Sequence, residues 1–481
     1  MLSDDSRESI FSRRPVMAAQ FVLLLRRLMR WAEVDRAVFF GILTKIWGLG
    51  SGAVTVLLIA SRFTPAVQGY YYTFSSLLAV QVFVELGLGT VIIQFASHEW
   101  SKLGLDEHRR IVGAPDALSR LISLGRVASK WYIIGGGIVA VGVGCAGYIF
   151  FSQSPRPGIE WMTPWFALSV LCGMNLCLVP AWSLLEGCNQ VSQVYAYRLI
   201  GGILSSLSVW LAIASGAGLW TGVVSFAISL IWSGVFLCAR YWRFLKAFFS
   251  PPSGPRINWR SEVLPMQWRI ALSWVSGYFI SGLFTPVLFH YYGAAAAGQM
   301  GMTWTLINAL SGVSSMWSLT KRPRFGILIA RKEYAALDRL FLRVTLVSFS
   351  VAVCGAAAIL AILVLLGRLD NPLSVRLLQP LPTGLLLLAT ILMQISIAQS
   401  VYLRAHRKEP FLVVSIVQGV LTGLSTWLLG SRFGATGIAG AYLAVVALAV
   451  FPMGTIIWYR RRAAWHSDAV GQPSTSRVAV S

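Results

Sequence analysis

The fold is decided by the stretch AVFFGILTKIWGLGSGAVTVLLIASRF (Ala37–Phe63), TPAVQGYY (Thr64–Tyr71) and YTFSSLLAVQVFVELGLGTVIIQFASHE (Tyr72–Glu99). Two apolar segments, each long enough to cross a bilayer, are joined by a short turn that contains Pro and Gly. Each segment carries one ionisable residue, Lys45 in the first and Glu85 in the second. Charged side chains at membrane depth are costly, so they usually face the interior of a helix bundle or a water-filled cavity.

The composition of the whole chain agrees with a membrane protein. Hydrophobic residues make up 56% of the sequence, charged residues only 12%, and the mean hydropathy is +0.68. Soluble domains have about 25% charged residues. The net charge of +22 does not indicate nucleic acid as a partner, because Lys and Arg fall between apolar runs and no aromatic-basic module is present.

The six cysteines do not indicate a metal site or a disulfide framework. Five of them lie within apolar runs, and their spacings match neither pattern. We therefore expect no metal, no cofactor and no redox chemistry.

Twelve segments have the length that a bilayer requires, and segments this long and apolar are helices. We expect an all-α polytopic membrane protein with twelve transmembrane helices in two six-helix lobes. The predicted spans are Val38–Ala60, Tyr70–Phe95, Trp131–Phe151, Trp161–Leu185, Val191–Ala214, Leu219–Trp242, Gln267–Tyr291, Gln299–Thr320, Phe341–Gly367, Leu381–Leu403, Phe411–Gly430 and Thr436–Tyr459.

Loop charges predict the orientation of the bundle. Of the 40 Lys and Arg residues, 32 fall on the side of the N-terminus, five fall on the opposite side, and three lie within spans. Such a bias places both termini in the cytoplasm. A helix at Ala18–Trp31 is too short to span, lacks a signal-peptide cleavage site, and is predicted to lie on the cytoplasmic membrane surface.

Loop charge and chain length also predict the domain organisation. A basic connector that contains Pro separates two six-helix lobes. The expected units are a basic N-terminus (1–36), an N-lobe with helices 1–6 (37–243), the connector (244–263), a C-lobe with helices 7–12 (264–459) and a cytoplasmic tail (460–481).

A sequence pattern similar to that of the first hairpin occurs again after the connector. Ser61–Gly69 (SRFTPAVQG) and His290–Gly298 (HYYGAAAAG) match in turn length and in their final glycine. Further on, Ala96–Glu99 corresponds to Ala330–Glu333. Both hairpins run outward and then inward, which predicts parallel repeats about an axis along the membrane normal, a plan found in transporters.

The segments GILTKIWGLGSGAVTVLLIASRFTPAVQGYY (Gly41–Tyr71) and VELGLGTVI (Val84–Ile92) resemble the opening of Wzx-type bacterial polysaccharide and O-antigen flippases. These proteins share a superfamily with MATE multidrug exporters and lipid II flippases. The resemblance implies a bacterial inner-membrane protein with two lobes around a cavity that opens alternately to each side. It also implies an undecaprenyl-diphosphate-linked oligosaccharide as cargo, surrounding membrane lipids, and polysaccharide polymerase and glycosyltransferase partners.

Four ionisable residues within the spans are the candidate substrate-binding residues. Helical rise places Lys45 and Arg198 roughly 12 Å, Glu85 about 16 Å and Arg269 about 5 Å from the cytoplasmic ends of their spans. If the three cations face one cavity, its field is positive on the side from which a lipid-linked precursor enters. Arg and Lys there would bind a diphosphate.

Each of these residues also has a structural interpretation. Lys45 and Glu85 lie on neighbouring helices and can form an internal pair, while Arg269 is shallow enough to snorkel to the interface. Arg198 can pair with a carbonyl or a carboxylate, and Glu186 lies at a span boundary. The amides in the spans can bind sugar hydroxyls, but bonds between helices are the favoured interpretation: Gln81, Gln94, Asn175, Gln394 and Gln399.

Two other functions compete with a flippase. A MATE-like exporter of organic cations, driven by protons or sodium, needs buried acids, and Glu85 is the strong candidate. A membrane enzyme is disfavoured because the outer loops are short and no catalytic dyad is evident.

Overall fold

The computed structural model describes residues 36–153, 158–406 and 411–470. The surface helix expected at Ala18–Trp31 lies outside these residues. Within them, nine helical stretches are long and apolar enough to cross a membrane, or ten with one bent pair counted as a span. Two of these stretches are divided by glycines with positive φ, Gly293 and Gly434. Twelve spans result, and the predicted all-α polytopic fold is confirmed.

Spans 1–6 form the N-terminal half. Several are built from two or three consecutive helices, with short turns or a π-helical segment at Val139–Val143 between them. Their helices are span 1, Arg36–Arg62; span 2, Pro65–Leu78, Val82–Glu85 and Leu88–Trp100; span 3, Pro115–Ile138 and Gly144–Ser152; span 4, Met162–Leu176 and Val179–Gly187; span 5, Val191–Ala214; span 6, Trp220–Lys246.

Spans 7–12 form the C-terminal half. Gly293 separates the last part of span 7, which begins at Phe284, from span 8, and Gly434 separates span 11 from span 12. Their helices are Leu264–Ser281 and Phe284–Thr320 for spans 7 and 8; Tyr334–Arg368 for span 9; Pro380–Ala405 for span 10; Leu412–Val445 and Phe451–Val470 for spans 11 and 12. A short helix, Arg322–Ala330, joins spans 8 and 9.

Three helices extend further toward the predicted cytoplasm than the hydropathy pattern indicated. Span 3 begins at Pro115, span 9 begins at Tyr334, and span 12 continues to Val470. Before span 3, Leu103–Leu105 and Ile111–Gly113 pair as an antiparallel hairpin. Polar residues continue a helix without difficulty once it leaves the membrane, so hydropathy alone underestimates its length.

Equivalent spans of the two halves pack in equivalent ways. Span 1 packs against span 5, and span 7 packs against span 11. The halves meet where span 2 packs against span 8. A Cβ on Gly69 would lie 1.8 Å from the carbonyl oxygen of Ala294, and one on Gly298 would lie 3.2 Å from that of Pro65. The two glycines that end the predicted repeats therefore face each other across this interface, in agreement with that alignment.

Candidate functional site

Span 2 is broken directly after Glu85. Leu86 (φ 46°) and Gly87 (φ 64°) adopt the left-handed conformation, and the two parts of the span are bent by 42°. The carbonyl of Val84 accepts a hydrogen bond from Trp131 Nε1 (2.9 Å), and that of Leu86 accepts one from Gln267 Nε2 (2.8 Å). A break within a membrane-spanning helix is tolerated when side chains of neighbouring helices form hydrogen bonds with the backbone groups that the break leaves unpaired.

The sequence analysis gave span 2 as Tyr70–Phe95 and did not identify the break within it. The signal that it overlooked is the pair Gly87 and Gly89, because glycine readily adopts positive φ. Leu86 shares that conformation without being a glycine, so packing imposes the break. A Cβ on Gly87 would lie 2.4 Å from Ile270 Cγ2, which shows how closely span 7 approaches.

A polar cavity of about 470 Å³ lies within the N-terminal half, between spans 2, 4, 5 and 6. We call it the N-half cavity. Glu85 and Arg198 both line it, so the structure brings these two predicted residues together. Around them are other hydrogen-bonding side chains: Gln81, Asn175, Tyr197, Ser205, Ser225 and Ser229.

Arg198 forms an ion pair with Glu186, whose side chain is only 13% exposed. The guanidinium also lies 5.4 Å from the ring centroid of Tyr195. Of the two structural interpretations of Arg198, the carboxylate pair is the one that forms. Glu186 is therefore more than a boundary residue, since it neutralises the cation beside the cavity.

Lys45 does not pair with Glu85. It is exposed on span 1, and in the part of the chain that the structure describes no carboxylate lies within ion-pair distance of it. Gly48 and Gly52 follow on the same helix, and a Cβ at either would meet no atom within 4 Å. Lys45 thus stands beside open space on a face with small side chains.

A second and larger cavity, of about 1400 Å³, lies where span 2 faces spans 7, 11 and 12 near their predicted cytoplasmic ends. We call it the interface cavity. Arg269 lines it together with Arg460 and Arg461. The carboxylate of Glu262 also lines it, but it already accepts a 2.6 Å bond from Arg120 Nη2. Among the described residues of the lining, three guanidinium groups therefore face this cavity against one neutralised acid.

The sequence did not identify Arg460 and Arg461, because they fell within the predicted tail. The structure places them on the extension of span 12 toward the predicted cytoplasm, on one face with Ile457 and Ala464. The sequence did contain a signal for that face, because the four residues are spaced i, i+3, i+4 and i+7, as on one side of a helix. The sequence analysis considered one cavity lined by Lys45, Arg198 and Arg269 together. In the structure, Arg198 and Arg269 line different cavities.

Several amides in the spans bond between helices, as the sequence favoured. Gln394 Nε2 donates to Ser311 Oγ (3.2 Å), and Gln399 Nε2 donates to Thr455 Oγ1 (3.0 Å). Asn175 Nδ2 donates to the carbonyl of Phe226 (3.2 Å) while lining the N-half cavity. These groups therefore have structural partners.

No protein-family model matches the sequence, and no curated protein matches it significantly. Solved structures do match over most of their length. An inward-facing multidrug resistance MATE family transporter of the MOP superfamily has a TM-score of 0.59 at 11% identity, covering 88% of this chain and 96% of that one. The lipid II flippase MurJ, in an inward closed conformation, also has a TM-score of 0.59 at 11% identity, covering 90% and 91%.

The MATE multidrug transporter DinF-BH has a TM-score of 0.56 at 14% identity, covering 90% of this chain and 96% of that one. At such identities the likeness establishes the fold alone. The chain is therefore a multi-pass membrane protein with the fold of MOP-superfamily transporters, a fold that serves both multidrug export and lipid II flipping.

Proposed function

We propose that this protein is a flippase of the bacterial inner membrane. It translocates an undecaprenyl-diphosphate-linked oligosaccharide for surface polysaccharide biosynthesis by alternating access. The observation that carries this proposal is the interface cavity, in which Arg269, Arg460 and Arg461 lie together between the two halves.

A diphosphate is the ligand whose chemistry suits this cavity. Its oxygens accept several charge-assisted hydrogen bonds at once, and the planar guanidinium offers paired donors for them. Glu262 does not oppose such a ligand, since Arg120 holds its carboxylate. A volume of about 1400 Å³ also leaves room for sugar residues next to the phosphates.

The position of the cavity suits a lipid-linked cargo. Its walls come from span 2 of one half and spans 7, 11 and 12 of the other, so a polyprenyl tail can remain in the bilayer between them. The loop charges predict that this end faces the cytoplasm, where such precursors are made. Polymerase and glycosyltransferase partners are part of the same proposal.

The other predicted site residues act after capture. Arg198 and Glu85 line a polar cavity that also contains Tyr197 and Trp232, whose rings are stacked with centroids 5.7 Å apart. Polar and aromatic side chains of this kind suit sugar rings. Lys45, beside open space on span 1, is proposed as a further contact to the phosphates.

The alternative is a proton- or sodium-coupled exporter of small molecules, and the N-half cavity is the observation that favours it. Glu85 lines that cavity, and Glu186 lies beside it on Arg198. A carboxylate beside a polar cavity can bind a coupling ion. The three arginines of the interface cavity would, however, repel a cationic substrate.

Reconstitution of the full chain in proteoliposomes separates these functions. We expect a fluorescent undecaprenyl-diphosphate oligosaccharide to cross the bilayer, and we expect no ion-driven accumulation of a cationic dye. The triple variant Arg269→Gln, Arg460→Gln, Arg461→Gln should reduce flipping at least tenfold. Its matched control is Lys321→Gln, Arg322→Gln, Arg324→Gln, which neutralises three cations elsewhere on the same side.

Normal flipping by the first triple variant would reject the interface cavity as the headgroup site. Dye accumulation without glycolipid movement would instead establish the exporter. Thermal unfolding of both variants checks that any loss does not come from misfolding.

A further inference from the structure

A third cavity lies on the surface of the N-terminal half, along the inner part of span 6. We call it the span 6 groove. Its volume is about 750 Å³, and its walls are the segment of span 6 from Trp232 to Arg243 and the tip of the strand hairpin, Glu107–Arg109. Helical rise over that segment is roughly 16 Å, about half the hydrocarbon thickness of a bilayer. The groove therefore has the length of one leaflet.

The two ends of the groove differ in chemistry. The end within the membrane is apolar, with Trp232, Val235 and Phe236. The end at the predicted cytoplasmic surface is basic, with four side chains: His108, Arg109, Arg240 and Arg243. Among the described residues of the lining, only Glu107 brings a negative charge. Trp242 lies between Arg240 and Arg243 at the basic end and is 53% exposed, as is typical of tryptophan at a membrane interface.

The hairpin holds Arg109 over this end of the groove. The Nη1 group of Arg109 donates to the carbonyl of Arg240 (3.1 Å), and its guanidinium lies 5.2 Å from the ring centroid of Tyr241. Its backbone is left-handed (φ 58°), a conformation that glycine adopts without cost and arginine does not. Strain of this kind at a non-glycine residue is a reason to seek a function for its side chain.

A second apolar cavity, of about 470 Å³, lies on the other flank of span 6 and shares Cys238 and Trp242 with the groove. It too has cations in its lining, Arg126 and Lys130. Trp242 is thus flanked by two apolar slots, and each slot carries positive charge. Two neighbouring apolar slots with cations in their linings are complementary to a lipid with two hydrocarbon chains and a negative headgroup.

We propose that the span 6 groove binds an acidic phospholipid of the cytoplasmic leaflet. An acyl chain lies along Val235 and Phe236, and the phosphate is bound by Arg109, Arg240 and Arg243. Basic pockets beside transmembrane helices on the cytoplasmic side take anionic lipid headgroups in this way. The site is distinct from the interface cavity, so it stands independently of the cargo proposed above.

Native mass spectrometry of the full-length protein, titrated with phosphatidylglycerol or phosphatidylcholine, tests the proposal. We expect phosphatidylglycerol to bind more tightly. The variant Arg240→Gln, Arg243→Gln should weaken it roughly 10- to 30-fold, because each basic residue near the headgroup contributes about fivefold. The control Lys321→Gln, Arg324→Gln should leave it unchanged, and Arg240→Lys, Arg243→Lys should retain most of the affinity.

Arg109→Gly separates a ligand-binding role from a structural one. Glycine relieves the backbone strain, so thermal stability should not fall, while affinity for phosphatidylglycerol should fall about fivefold. Unchanged affinity in this variant and in Arg240→Gln, Arg243→Gln would overturn the proposal. Displacement of the lipid by excess inorganic phosphate or glycerol 3-phosphate would also overturn it, because it would assign the basic end to a soluble phosphate ligand.

Discussion

The two halves of this transporter fold share an architecture but treat charge within the membrane differently. The N-terminal half carries Lys45, Glu85 and Arg198 in its spans, with Glu186 at the predicted cytoplasmic end of span 4, and its span 2 is broken directly after Glu85. In the described residues of the C-terminal half, span 8, the counterpart of span 2, is one helix, and buried amides such as Gln394 bond to neighbouring helices.

The comparison shows that a repeat preserves packing more readily than chemistry. Equivalent spans must pack because both halves need the same helix contacts in lipid. Their polar side chains need not match, because a position that lines a cavity in one half can lie in the packed core of the other. We therefore expect substitutions at equivalent positions to have unequal effects.

The largest effect is expected where the two halves touch. Gly69→Ala places a methyl group 1.8 Å from a backbone oxygen, and Gly298→Ala places one 2.9 Å from the backbone nitrogen of Gly69. Neither backbone atom can move aside as a side-chain end would. Gly69→Ala should lose about 3 kcal/mol or more of unfolding free energy, and Gly298→Ala roughly half of that.

Unfolding in detergent measures both variants. Gly312→Ala, on span 8, is the control, because its Cβ would meet nothing within 4 Å and alanine favours a helix. Equal losses at Gly69 and Gly298 would mean that the interface relaxes symmetrically.

A smaller effect is expected at the ion pair of the N-terminal half. Arg198→Ala leaves Glu186 without its partner, and breaking a buried pair in this way costs about 3–5 kcal/mol. Because the arginine side chain is 44% exposed, we expect about 2 kcal/mol. In the C-terminal half, Gln394→Leu removes a neutral hydrogen bond and should cost about 1 kcal/mol.

The double variant Arg198→Ala, Glu186→Gln should recover most of that loss, because no unpaired charge remains. Unfolding free energies of the single and double variants give the coupling. If Arg198→Ala lowers the unfolding free energy no more than Gln394→Leu does, the ion pair of the N-terminal half contributes no more to stability than an amide hydrogen bond of the C-terminal half. The proposed difference between the halves would then be wrong.

The smallest effect is expected at Arg462, one of two arginines that form ion pairs near the predicted cytoplasmic surface. Arg120 binds both Glu99 (2.8 Å) and Glu262 (2.6 Å), so it joins spans 2 and 3 to the segment that enters span 7. Arg462 binds Asp338 and joins spans 9 and 12 within one half. Arg462→Ala should cost about 1 kcal/mol, since its pair is partly exposed. Arg120→Ala should cost about 2 kcal/mol, because it leaves Glu99, whose side chain is only 9% exposed, without its partner.

The two variants should differ in transport. Arg120→Ala should change the rate of glycolipid flipping, because it removes one of the bonds that hold span 7 to the N-terminal half, whereas Arg462→Ala should leave that rate near the wild-type value. Flipping rates in proteoliposomes measure this difference. Equal rates would show that Arg120 has only a local structural role.

Sequence alone determined the spans, the loop-charge bias and the repeat. The length of an apolar segment and the positions of Lys and Arg are local properties of the sequence that the bilayer constrains directly. The segment Ala37–Glu99 was therefore sufficient to predict one hairpin of two spans. Gly69 and Gly298, which the sequence aligned, meet where the two halves touch, because close backbone approach admits only the smallest residue.

Only the tertiary structure decided how the polar groups are used. The break at Leu86 depends on the side chains of Trp131 and Gln267, which are distant in the chain and satisfy the freed carbonyls. The pairing of Arg198 with Glu186, and the convergence of Arg269 with Arg460 and Arg461, depend on the rotation of each helix about its axis. That rotation is set by packing against other spans, so no single segment encodes it.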